Sequence, residues 1–199
     1  MKGRIFVSNN IVTDIATQTL QKVIFLDIDG VLNGYSRFTG FCYKVFSKLH
    51  LLKFVKRYHD LFGISTHKVK LLSEIVKKTG AKVVISSSWR GGWYTPYEEK
   101  SDRQKELHDK LLKYNITVIG ITPRDNSGSR GIEIQEYMEY CGYTIDKFVI
   151  LDDEKFDIVS LFPDNLVLTS YGGEIRGAWY ENTGLKRKHV NLAVKILNS

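Results

Sequence analysis

The chain has 199 residues, 43% of them hydrophobic and 26% charged, with a net charge of +7. That length fits one domain with insertions, and that apolar fraction can fill a sizeable core. The basic balance favours phosphorylated or polyanionic partners, while no apolar run approaches a membrane span and no signal segment opens the chain. The two cysteines, Cys42 and Cys141, lack metal-ligand spacing and read as reduced core residues. The expectation is a cytoplasmic protein with no membrane association. Oligomeric state is not legible.

Residues 1–21 read as an extension. Ile5-Phe6-Val7 and Ile11-Val12 flank Asn9-Asn10, which suits the turn of a short hairpin. From residue 22, short apolar runs alternate with helical periods. The runs are 23–27, 82–86, 116–121, 147–151 and 165–169. They are nearly continuous and rich in Val and Ile, as expected of strands covered on both faces. The interval from Asn33 to about Ser65 is too long for a simple strand-to-helix connection. Within it Leu51, Phe54, Val55, Tyr58 and Phe62 share one helical face, with Lys53, Lys56 and Arg57 mostly on the other. Two readings fit: an amphipathic helix with a solvated basic face, or a small cap at the rim of a site that helps hold a polyanion.

Val69, Leu72, Ile75 and Val76 predict a helix closed by Gly80. Leu107, Leu111 and Leu112 predict a second. Ile132, Ile134, Tyr137, Met138 and Cys141 predict a third, with Gly142 as its stop. The last helix is expected at 185–197. This alternation predicts an α/β fold, a Rossmann-like three-layer sandwich with a parallel central sheet and right-handed crossovers. One domain, 22–199, carries the insertion at about 34–65, and no repeat or second domain is visible.

Three strand ends carry chemistry. The first run ends in Asp27 and Asp29, the second in Ser86-Ser87-Ser88-Trp89-Arg90, and the fourth in Asp152-Asp153-Glu154. In an open parallel sheet these ends open onto one edge, where ligands bind. Ser129-Arg130-Gly131 starts the helix that leads into the fourth strand. Two close carboxylates at a core edge repel, so they hold a cation, share a proton, or do both. Taken singly, the bland readings are stronger: an acidic turn, a serine turn, a surface arginine. Their order and strand-end placement together favour chemistry. Carboxylates from two strand ends suit Mg2+. An Asp can attack phosphorus, a second can move the proton, and a hydroxyl with a cation can stabilise the equatorial oxygens.

At these residues the chain resembles the phosphotransfer branch of the haloacid dehalogenase (HAD) superfamily. Asp27 to Val31 match the first motif, an apolar strand running into Asp-x-Asp-Gly-(Val or Thr). The resemblance implies that Asp27 is the nucleophile, forming an aspartyl-phosphate. It implies that Asp29 is the general acid/base, with its backbone carbonyl on Mg2+. The second motif assigns phosphoryl binding to Ser87, with Ser86 as the alternative. The third assigns a cation to Arg130, with Arg124 as competitor. The fourth assigns metal binding to Asp152 and Asp153, either of which is a candidate for direct coordination, with Asp157 assisting through a water.

The segments FLDIDGVLN, KTGAKVVISSSWR, ITPR followed by SRGIEIQEYM, VILDDE and LVLT extend the resemblance over about 22–170. They look like the HAD-type domain of bacterial and viral RNA-repair proteins. Related domains remove phosphate from polynucleotide ends. No kinase loop of the form GxxxxGK(S/T) occurs. The implied function is a Mg2+-dependent phosphomonoesterase acting on nucleic-acid ends or nucleotides. The alternatives are a phosphatase of small phosphorylated metabolites and a catalytically weak nucleic-acid-binding module. Asp29 argues against a dehalogenase, and a mutase requires a more enclosing cap.

Overall fold

Val23, Ile24, Phe25 and Leu26 are all fully buried, which only an inner strand covered on both faces allows. They belong to β1 (Leu20–Leu26) in a computed structural model that describes residues 20–33, 63–125, 128–169 and 184–199. The hairpin expected near the N-terminus, the cap expected within 34–65 and Cys42 lie essentially outside the described residues. β1 pairs in parallel with β2 (Lys82–Ile85) on one side and β4 (Thr144–Asp152) on the other. β3 (Val118–Ile121) flanks β2, and β5 (Leu166–Leu168) flanks β4. The order is β3-β2-β1-β4-β5, all parallel, as the alternation of elements predicts. The chain steps outward from β1 to β3 and then crosses to the far side of β1. The carboxyl ends of β1 and β4 therefore flank the reversal of strand order, where open α/β sheets bind ligands.

The described helices are α1 (Thr66–Thr79), α2 (Asp102–Lys113), α3 (Arg130–Tyr140), α4 (Phe156–Leu161) and α5 (Arg187–Asn198). Strand alternation feeds two cores. Ile24, Leu26, Val83, Val149 and Leu151 pack with Leu72 of α1, Leu107 of α2 and Val190 of α5. Val23, Phe25, Val84 and Ile150 pack with Ile134 of α3 and Ile158 of α4. This is the three-layer sandwich. Gly80 closes α1 in the left-handed conformation, φ 72°, and its N–H bonds the Val76 carbonyl. Ser101 and Gln104 form a capping box at the start of α2.

Some boundaries differ from the sequence reading. The third strand starts at Val118 rather than 116, because Asn115 turns the chain with φ 55°. Ile116 is buried in the core ahead of it. β4 starts three residues early, where it pairs with Leu20 and Gln21. Leu112 is 67% exposed, because Leu107 and Leu111, one turn apart, take the buried stripe of α2. Ile132 is likewise exposed while Ile134 faces the sheet. Among the described residues no helix is long and apolar enough to cross a membrane.

Candidate active site

The β1 pairings end at Leu26, opposite Ile85 of β2 and Leu151 of β4, with Ile121 of β3 beside Ile85. One step further the row becomes polar: Asp152, Asp27, Ser86 and Thr122, all buried. The ladder carries through, since Asp27 N–H donates to Leu151 O, Ser86 N–H to Leu26 O and Thr122 N–H to Ile85 O. Alternation turns this row toward the face covered by α3.

Asp27, Asp152 and Asp153 each offer a carboxylate oxygen within 4.8 Å of the others. Asp153 reaches this cluster because residue 30 is glycine. Gly30 has φ +68°, and a Cβ there would stand 1.9 Å from Asp153 Oδ2. Thr169 Oγ1 donates to Gly30 O at 2.8 Å, tying this loop to the end of β5.

Burial raises the pKa of all three carboxyls. Asp27 is pushed up to about 8, first by burial and then by Asp152, against the opposing pull of Arg130 and Ser87. Burial also raises Asp152 to about 6, and burial followed by Asp152 raises Asp153 to about 7. Three charges in this space repel one another unless a cation joins them. An all-oxygen donor set of carboxylates fits a hard divalent ion such as Mg2+. The residues therefore suit the metal that the sequence motifs imply.

Arg130, at the start of α3, donates from Nη1 to Asp27 Oδ1 at 3.3 Å. Arg124, the competing cation, instead packs against Gly91, where a Cβ would stand 3.2 Å from its Nη2. Ser87 lies near enough to Asp27 to pull its pKa down, and its hydroxyl accepts the Trp89 N–H. Ser86 Oγ, by contrast, is buried without a hydrogen-bond partner.

Asp29 is exposed, and its carboxylate is not one of the three that cluster. It accepts from Trp89 Nε1 at 2.8 Å and from Asn33 Nδ2 at 2.6 Å. The Arg103 guanidinium lies 4.4 Å over the Trp89 ring. Asp157, expected to assist a metal through water, is not among the three clustered carboxylates. Its Oδ2 accepts from Ser129 Oγ and the Gly131 N–H at the start of α3. Gly131 leaves room for this, since a Cβ there would stand 2.7 Å from Asp157 Oδ2. Asp157 thus fixes the turn that presents Arg130.

Two functional neighbours had no assigned role in the sequence reading. Buried Arg90 pairs with buried Glu133, and Glu133 Oε2 lies 3.8 Å from Arg130 Nε. Arg90 Nη1 also donates to Ser87 O at 3.4 Å. A continuous polar chain therefore runs from the Ser87 loop through Arg90, Glu133 and Arg130 to Asp27. The one local signal was Glu133 standing three residues after Arg130, a helical neighbour.

A search of curated proteins finds no match. A family model described as the HAD domain in Swiss Army Knife RNA repair proteins matches residues 23–173. The match takes in Asp27, Asp29, both serines, Arg130, Asp152 and Asp153. With an acidic cluster at the switch point of an all-parallel sheet, the chain belongs to this family of hydrolase-type HAD domains from RNA repair proteins.

Proposed function

We propose that this domain is a Mg2+-dependent phosphomonoesterase acting on nucleic-acid ends or nucleotides through an aspartyl-phosphate on Asp27. The observation that carries the reading is the convergence of Asp27, Asp152, Asp153, Arg130 and Ser87 at one sheet edge. Mg2+ held by Asp27, Asp152 and Asp153 supplies positive charge against the carboxylates and the phosphate. Asp27 attacks phosphorus, forming one P–O bond as the bond to the leaving oxygen breaks. Asp29, two residues on, gives that oxygen its proton. It then takes a proton from the water that attacks the aspartyl-phosphate and releases inorganic phosphate. Trp89 and Asn33 orient the Asp29 carboxylate for both transfers. Arg130 and Ser87 hold the equatorial oxygens, and Arg130 is open enough to meet a substrate, its side chain 24% exposed. Glu133, itself braced by Arg90, keeps Arg130 in place.

The +7 charge and the RNA-repair family favour nucleic-acid substrates over small metabolites. A pure binding module has no use for three carboxylates pressed together. The test is phosphate release from 3′- and 5′-phosphorylated oligoribonucleotides, nucleoside monophosphates and sugar phosphates, with Mg2+ and with EDTA. The expected result is turnover of the nucleic-acid ends or nucleotides that EDTA abolishes. Turnover of sugar phosphates alone removes the nucleic-acid assignment. Salt-dependent oligonucleotide binding without turnover supports the binding module instead.

A further inference from the structure

Beside the acidic cluster a groove of about 640 Å³ opens between the loop after β2, the end of β3 and α3. Its walls are mostly apolar and aromatic. Trp93 and Tyr94 come from the loop, and Tyr137 and Tyr140 from the helix. Tyr94 and Tyr140 are 72% and 82% exposed. Exposed aromatics gathered on one groove, rather than scattered, mark a binding surface. Gly120 leaves space for the Tyr137 hydroxyl, which bonds the Tyr143 hydroxyl at 2.9 Å. Two polar atoms of lining residues, Thr122 Oγ1 and Arg90 Nε, are buried without a hydrogen-bond partner. The Arg124 guanidinium adds positive charge at the mouth, and Glu136 adds an acceptor on the α3 wall.

We propose that this groove holds the unpaired base of the phosphorylated terminal nucleotide of a single-stranded RNA end. The proposal rests on the phosphatase reading of the adjacent cluster. Aromatic faces stack on any base, so the groove gives grip without sequence preference. Its volume is that of a small-ligand site. Glu136, on the α3 wall, accepts from base N–H groups while repelling a phosphate. Placement agrees. Thr122 and Asp27 stand in one row, two strands apart, about 10 Å at ordinary strand spacing. That separation suits a nucleotide whose phosphate meets Asp27 while its base lies in the groove. Arg90 serves both places, lining the groove and bonding Ser87 O and Glu133.

The test uses an oligoribonucleotide bearing 2-aminopurine at its phosphorylated terminal position, with the phosphate placed at the 3′ or the 5′ end in turn. It is titrated with Mg2+ into full-length Asp27→Asn protein, which needs no turnover. Stacking in the groove quenches the fluorescence. Adding Tyr94→Ala and Tyr140→Ala is expected to weaken binding roughly tenfold and remove most of the quenching, while Tyr94→Phe with Tyr140→Phe retains both. An end of the same sequence with an abasic terminal residue is expected to bind roughly tenfold more weakly to the intact groove, a comparison independent of how the alanine pair folds. Absence of quenching, equal binding of the abasic end, or a folded alanine pair with unchanged affinity overturns the proposal. Quenching by a protein whose unsubstituted form hydrolyses no phosphate ester contradicts the phosphatase reading alone. Hydrolysis without quenching contradicts the groove alone.

Discussion

On the face of the sheet covered by α1, α2 and α5, Leu26, Leu72, Ile75 and Leu197 are fully buried in a broad apolar core. On the face covered by α3 and α4, the apolar core is a small cluster around Phe25, and beyond it lie the buried Asp27, Arg90, Glu133 and Asp152. Burying charge costs free energy, and a cluster of partly repelling carboxylates costs more than a paired one. The difference teaches where each property originates. One face supplies the stability that allows the other to hold charges in a geometry useful for chemistry. The sheet joins them, since the same strands alternate between both.

Substitution on the apolar face gives the largest stability change and separates the two roles. Leu72→Ala is expected to cost about 2–5 kcal/mol in urea unfolding. The kcat of the folded protein on a small phosphate ester should stay unchanged. A fall in kcat beyond the unfolded fraction shows that the faces are not independent.

A smaller, pH-dependent effect sharpens the contrast from the charged face. Without metal, the folded pKa values of Asp152, Asp153 and Asp27 are raised to about 6, 7 and 8, from an ordinary value of 3.8. The folded protein then holds protons that the unfolded chain has released. Stability from these groups is fully present below about pH 4 and declines as pH rises through the folded values, to about 8. Mg2+ binds the deprotonated carboxylates and should offset the decline. Thermal melting in EDTA should therefore give a lower Tm at pH 8 than at pH 5, with the gap narrowed by Mg2+. A metal-induced rise in Tm that is no larger at pH 8 than at pH 5 separates the metal from these carboxyls.

The sequence made the sheet legible because buried parallel strands leave continuous apolar runs, and Gly80 and Gly142 mark helix ends through positive φ. Asp27, Ser87, Arg130, Asp152 and Asp153 were legible because each sits at a strand or helix end, and topology brings those ends together. The rest depends on side chains far apart in the chain. Nothing local in Asp157 says that it caps the turn of Arg130, 27 residues earlier in the sequence. Likewise Trp89 on Asp29, Arg90 on Glu133 and the close approach of Gly30 to Asp153 are contacts between elements. The aromatic groove was hidden for the same reason: Tyr137 reads as a core residue of α3 until the loop after β2 is placed opposite it.

The most direct measurement of the central claim is phosphate release by Asp27→Asn from a phosphorylated oligoribonucleotide at fixed Mg2+, beside the unsubstituted protein, with melting curves for both. The account predicts a loss of at least about a thousandfold. It also predicts a Tm in EDTA at pH 8 no lower than that of the unsubstituted chain, because the amide removes a buried charge. A folded Asp27→Asn protein that releases phosphate at the unsubstituted rate would contradict the account.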